Sequence, residues 1–278
     1  MSRRIALFIL GAGLLGAATY VATRSGAAPA GRPAPAPAPA PRGAAAATAG
    51  GARTPVLVEL FTSEGCSSCP PADAELARLE ATQPVAGVEI VPLAYHVDYW
   101  DRLGWRDPFS SSWASSRQRG YTSLGAGVYT PQAVVDGATD VLGSRGGAIE
   151  RAAASSAREA RATLRVVVGA SRAGPASRDV ALEIGALPGG AGHAWVALVQ
   201  RRADVPVPRG ENAGKTLAHT AIARSLVDAG AVSAAGGSAR VTVSLPAGLT
   251  ADGARVVAFV ERAAPRRVVA VSVVDVPR

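Results

Sequence analysis

The chain contains two cysteines, Cys66 and Cys69, separated only by Ser67 and Ser68. This spacing suits thiol–disulfide chemistry, in which one thiolate attacks a disulfide and the second sulfur resolves the mixed disulfide that forms. The same pair suits a soft metal ion, and a permanent bridge requires only an oxidising compartment. Cys66 is expected to attack and Cys69 to resolve, because the residues that follow read as a helix start, whose positive end favours an anion. Further along, His96, Asp98, Tyr99, Trp100, Asp101, Trp105 and Asp107 crowd one stretch. His96 suits a proton shuttle oriented by Asp98. Alternatively it joins Cys66 and Cys69 around copper(I). Trp100 and Trp105 read either as neighbours of the cysteines or as caps on the core. Arg117 and Arg119 read as surface or ion-pair residues rather than substrate clamps.

The elements that must position these groups follow from apolar patterning. Pro55–Phe61 is a short run rich in β-branched residues and reads as a buried strand. Thr62–Gly65 is a turn, and Cys66-Ser67-Ser68-Cys69-Pro70-Pro71 opens a helix, where prolines cost nothing in the first turn. Ala72, Leu76, Ala77 and Leu79 carry that helix to about Gln83, and Pro84 stops it. Val88–Tyr95 is a second strand, and Phe109 to about Leu124 a helix. Ala133–Asp136 and Thr139–Leu142 are strands joined by a turn at Gly137, and a helix from about Gly146 to Arg161 closes the unit. The carboxyl ends of strands in an open α/β sheet form the ligand-facing rim, which sets the His96–Asp107 loop near the cysteines.

This β-α-β-α-β-β-α order, with the cysteine pair after the first strand and Pro131 opening the third, is the thioredoxin core arrangement. The expected fold class is therefore an α/β thioredoxin-like N-terminal domain over 54–161. By that resemblance Thr130–Pro131 is expected to be cis and its backbone to face the disulfide, which adds Pro131 and Thr130 to the site. The stretches V-E-L-F-T-S-E-G-C-S-S-C-P-P-A-D, Y-H-V-D-Y-W-D-R-L-G-W-R-D-P-F, R-Q-R-G-Y and V-Y-T-P-Q-A-V-V-D-G resemble the bacterial family called domain of unknown function 1223. R-G-E-N-A-G-K-T-L-A-H-T resembles that family's second half, so the resemblance covers about 54–275. It implies a thioredoxin-like fold and export, and it supplies no reaction. One departure is Glu64, where the family pattern usually has glutamine; a carboxylate pointing at Cys66 opposes thiolate formation.

From Ala162 the pattern changes to short strands divided by Gly, Pro and Ala-Gly clusters: Leu164–Ala170, Asp179–Ala186, Ala194–Arg201, Thr216–Asp228, Ala239–Leu245, Arg255–Arg262 and Arg267–Val274. They predict an all-β antiparallel sandwich-like C-terminal domain over 162–278. Gly210-Glu211-Asn212-Ala213-Gly214-Lys215-Thr216 resembles a phosphate-binding loop but holds three residues between its glycines where that loop needs four. It is read as a turn before a strand, at the boundary between the two halves.

At the N-terminus, Arg3 and Arg4 precede an apolar run from Ile5 to Thr23, expected to be a signal peptide or signal anchor over 1–25. A Pro/Ala-rich linker over 26–53 follows, its alternating prolines favouring extended geometry. The formal charge is +8, but residues 1–53 hold six arginines and no acid, leaving 23 basic against 21 acidic residues. Without a basic stripe on the folded part, nucleic acid is not an expected partner. The reading is an exported periplasmic or envelope protein, touching the inner membrane only through its N-terminal segment. Its expected partners are protein or small-molecule thiols, and no cofactor is implied. Whether it is an enzyme is left open between a thiol–disulfide oxidoreductase, a copper-binding protein and a non-enzymatic binding protein.

Overall fold

A computed structural model describes residues 53–125 and 127–278. The segment expected to direct export and all but Arg53 of the expected linker lie outside them. The described residues form one compact unit. Its elements are β1 (Thr54–Thr62), α1 (Pro70–Thr82), β2 (Val88–His96), α2 (Ser112–Arg119), β3 (Gln132–Val135), β4 (Thr139–Leu142) and α3 (Gly146–Ser156). Then come β5 (Leu164–Ala170), β6 (Ser177–Ile184), β7 (Gly192–Val207), β8 (Lys215–Val232), β9 (Gly237–Ser244), β10 (Ala254–Ala263) and β11 (Arg266–Asp275). The helix expected over 109–124 is shorter, and 3-10 turns at Asp98–Leu103 and Thr122–Leu124 flank it.

The fold class expected from the sequence needs correction. Eight strands form one mixed sheet in the order β11-β10-β7-β8-β2-β1-β3-β4, so no α/β thioredoxin-like domain stands apart from an all-β sandwich. The join is at β2, where Ala94 pairs in parallel with Ile222 of β8. β2 is buried at every position but Glu89, and a strand so apolar on both faces needs neighbours on both edges. β7 and β8 are longer than expected, at 16 and 18 residues, and their hairpin carries the sheet from one half of the chain into the other. Only β5, β6 and β9 form a second sheet.

Period-two alternation sets the layers. Val257 and Phe259 of β10 face a core shared with Leu57, Phe61, Tyr95, Val199, Ala223 and Tyr121. Val256, Ala258 and Val260 face the opposite way, onto Val166, Val180 and Leu182 of the small sheet. α1 and α3 cover the other face of β1 through Leu76, Leu79, Ile149 and Ala153. The large sheet curls until β11 returns to the β3–β4 turn, where the Val268 N–H donates to the Asp136 carbonyl at 2.8 Å. Among the described residues, no helix is long and apolar enough to cross a membrane.

Candidate functional site

Cys66 and Cys69 form a disulfide, their Cα atoms 5.4 Å apart. β1 ends at Thr62, a turn donates the Cys66 N–H to the Ser63 carbonyl, and α1 begins at Pro70. Cys69, not Cys66, is the helix N-cap. This weakens the acidification expected at Cys66. Pro70 and Pro71 have no N–H, and the Ala72 and Asp73 N–H groups donate to the Cys69 carbonyl. The Ser68 hydroxyl lies 3.4 Å from the Cys66 sulfur and, with that sulfur in a disulfide, is the donor of the pair.

Ser67 and Ser68 are exposed, but both cysteines are 0% exposed. Three groups pack around the turn that holds them. Trp100 packs on Gly65, where an added Cβ would come within 3.0 Å of the indole's Cβ, and its Nε1 donates to Thr130 Oγ1 at 2.8 Å. Trp105 donates from Nε1 to Glu64 Oε2 at 2.6 Å. The third comes from far along the chain. Asn212, itself 0% exposed, donates from Nδ2 to the carbonyls of Glu64 (2.8 Å) and Cys66 (3.0 Å), and Glu211 accepts from the Ser67 N–H at 3.0 Å. Gly210, at φ +82°, lets this strap approach Trp105 closely. Lys215 Nζ donates to Asn212 Oδ1 at 3.0 Å and closes it. The stretch that resembles a phosphate loop thus lies across the cysteine pair.

A buried polar cluster adjoins the turn that carries the cysteines, through Glu64 on one side and Asp73 on the other. His96 Nδ1 meets Asp107 Oδ2 at 2.6 Å, so Asp107 rather than Asp98 orients the imidazole. Asp98 pairs instead with Ser115. Burial alone would lower the His96 pKa, but Asp107 raises it above the usual value. Burial alone would raise Asp107, but His96 and the N–H groups of Glu64 and Phe109 bring it below the usual carboxylate range. His219 on β8 lies edge-to-face on His96, ring centroids 4.8 Å apart, with its Nε2 3.2 Å from Glu64 Oε1. Glu64 is therefore held by Trp105 and His219, which accounts for a carboxylate at that position.

Asp73 on α1 completes the cluster. Burial pushes its pKa up to about 6, opposed by His219 and His96. A carboxyl whose folded pKa lies above its unfolded value adds stability fully present below about pH 4, which is lost as pH rises through about 6. Asp73→Asn is thus expected to stabilise the protein at pH 7.5 by up to about 3 kcal/mol and to change little at pH 4. Urea unfolding at both pH values checks this, and an equal effect at both would contradict it.

Thr130–Pro131 is cis, as expected from its position, and Trp100 links Thr130 to the loop before Cys66. Among the described residues no three His, Cys, Asp or Glu side chains are arranged to hold a metal ion. Sequence reasoning missed Asp73, His219, Glu211 and Asn212 as site residues. All four lie inside the stretches that resemble the family, and His219 is one of three histidines in the chain.

A family model described as "Protein of unknown function (DUF1223)" matches residues 57–261. A crystal structure of an Agrobacterium tumefaciens protein is similar at 28% identity and a TM-score of 0.62, covering 83% of this chain and 97% of that one. The structure of HBP35 of Porphyromonas gingivalis is similar at 14% identity and a TM-score of 0.60, covering 82% of this chain and 76% of that one; this likeness is one of fold alone. No curated protein matches the chain.

Proposed function

We propose that this chain, which belongs to the DUF1223 family, is an exported envelope protein that exchanges its Cys66–Cys69 disulfide with protein or small-molecule thiols. The observation that carries the reading is the company the disulfide keeps. A merely structural bridge needs apolar packing. This one sits in a turn adjoined by the buried Asp73, His96, Asp107 and His219 and by a polar strap, Gly210–Lys215, that makes three hydrogen bonds to the backbone of Glu64, Cys66 and Ser67. Asp73, His96 and Asp107 are titratable groups shifted from their usual values, and such groups gathered in one place are a mark of functional sites. Cys66 precedes Cys69 at the exposed Ser67–Ser68 rim and is the sulfur an incoming thiolate would reach once the strap lifts; Cys69 then leaves. Export rests on the basic residues and apolar run over 1–25.

The test is the reduction potential of the pair in the folded protein, equilibrated with thiol buffers and read by alkylation. A value between about −120 and −270 mV, the span of known exchange proteins, is the expected result. A value below about −300 mV would mark a static bridge and remove the exchange reading.

A further inference from the structure

This inference rests on the exchange reaction just proposed. Opening a disulfide leaves a thiolate on the departing sulfur, and an anion out of reach of water is costly unless it is protonated. Cys69 is 0% exposed and lies one helical turn from Asp73 on the same face of α1. Around Asp73, Glu64, His96, Asp107 and His219 are also buried. One nitrogen of each imidazole is anchored, His96 Nδ1 on Asp107 and His219 Nε2 on Glu64. The other two, His96 Nε2 and His219 Nδ1, are buried without a hydrogen-bond partner. Buried polar atoms are nearly always satisfied, and two orphans on touching rings require an explanation.

We propose that Asp73, His96 and His219 form a buried proton store that protonates Cys69 when the disulfide is opened. The substrate thiolate forms a bond to Cys66 Sγ. The Cys66–Cys69 bond breaks and its electron pair goes to Cys69 Sγ, which takes the carboxyl proton of Asp73. The Asp73 anion regains a proton from the imidazoles or from solvent. A second substrate thiolate attacks the substrate sulfur of the mixed disulfide, releasing oxidised substrate and the Cys66 thiolate. The orphan nitrogens give the store sites at which a proton can be held or absent without breaking the anchoring contacts. Solvent has an entrance, because Asp73 lines a groove of about 380 Å3 with Pro70, Ala74, Ala77, Thr216, Leu217 and Ala218.

The charges facing Asp73 are His219 from β8, His96 from β2 and Asp107 from the loop after it, with Glu64 behind His219. Glu80, farther along α1, is engaged by Thr220 and Arg255. Glu75 and Arg78 pair with each other, and Arg78 with Glu150 of α3. Lys215 is held by Asn212.

The experiment follows reduction of the full chain by a monothiol between pH 5.5 and 8, with each rate constant expressed per thiolate. The wild-type constant is expected to fall roughly 15-fold from pH 6 to pH 7.5, as a carboxyl acid of pKa about 6 loses its proton. Asp73→Asn is expected to give a lower, flat profile. His219→Gln, which removes an imidazole that lowers the Asp73 pKa, is expected to move the fall to higher pH, a shift a purely structural histidine would not cause. A flat wild-type profile, or variant profiles that superimpose on it, would overturn the proton store and leave exchange standing. A folded wild type that thiols cannot reduce at all would overturn both.

Discussion

Asn212→Ala is expected to speed reduction of the Cys66–Cys69 disulfide by a thiol ten- to a hundredfold at pH 7. Both sulfurs are sealed, so an attacking thiolate has to wait for the cover to open. Asn212 is the strap's buried anchor, with two donor contacts to the carbonyls of Glu64 and Cys66 and one acceptor contact from Lys215. Removing it leaves the Glu64 carbonyl unsatisfied in the closed state, at about 1–3 kcal/mol, and the Cys66 carbonyl with the Cys69 N–H alone, while in the open state water satisfies both. A shift of about 1.4–2.8 kcal/mol towards the open state raises its population ten- to a hundredfold. Glu211→Ala removes only the contact at the exposed rim and is expected to change the rate by less than about fivefold. The measurement is the second-order rate with dithiothreitol. Equal rates for wild type and Asn212→Ala would mean that the thiol enters by another path.

Why the strap escaped a reading of the sequence is a matter of separation. Glu211 and Asn212 stand 144 to 148 positions from the groups they bind, and a glycine-rich polar stretch reads as a turn whatever it covers. Local features were legible. Pro70 and Pro71 marked a helix start and an apolar run of β-branched residues marked β1, whereas the cis bond at Pro131 was expected from the resemblance alone. The choice of Asp98 over Asp107 as partner for His96 failed because sequence proximity stood in for geometry. The 3-10 turn over Asp98–Leu103 sends Asp98 to Ser115, and the loop then brings Asp107 back beneath the strand end.

The continuity of the sheet was hidden for a similar reason. Seven strands after Ala162 were legible as strands, but nothing in an apolar strand names its neighbour. The one hint was β2 itself, buried on both faces from Ile90 to His96 and so unsuited to a sheet edge. Asp73 was obscured by its neighbours: between Pro70 and Leu76 it reads as an acidic residue favourable in the first turn of a helix. Its burial comes from β8 together with the His96–Asp107 stretch, all distant in the chain.

Arg117 ties the two ends of this arrangement together, and its removal is expected to be the most damaging single change to stability. Its guanidinium donates from Nε to Glu59 Oε1 at 2.9 Å, from Nη1 to Glu261 Oε2 at 2.7 Å and from Nη2 to the Tyr121 hydroxyl at 2.6 Å. Glu59 lies on β1 and Glu261 on β10, strands that the curl of the sheet brings to one guanidinium. Burial would lower the arginine's pKa, but Glu59, Tyr121, Tyr95 and Glu261 hold it well above its usual value. Arg117→Leu leaves two carboxylates in the interior with one partner fewer, and is expected to cost about 3–5 kcal/mol. Arg117→Lys restores the charge but not the planar fork, and is expected to recover only part of this. Urea unfolding followed by tryptophan fluorescence and by circular dichroism gives the size of the loss. It also examines the architecture, because a sheet shared by both halves of the chain is expected to unfold in one transition by both probes. Two separated transitions, with Arg117→Leu moving only one, would mean that the halves hold together weakly despite their common sheet.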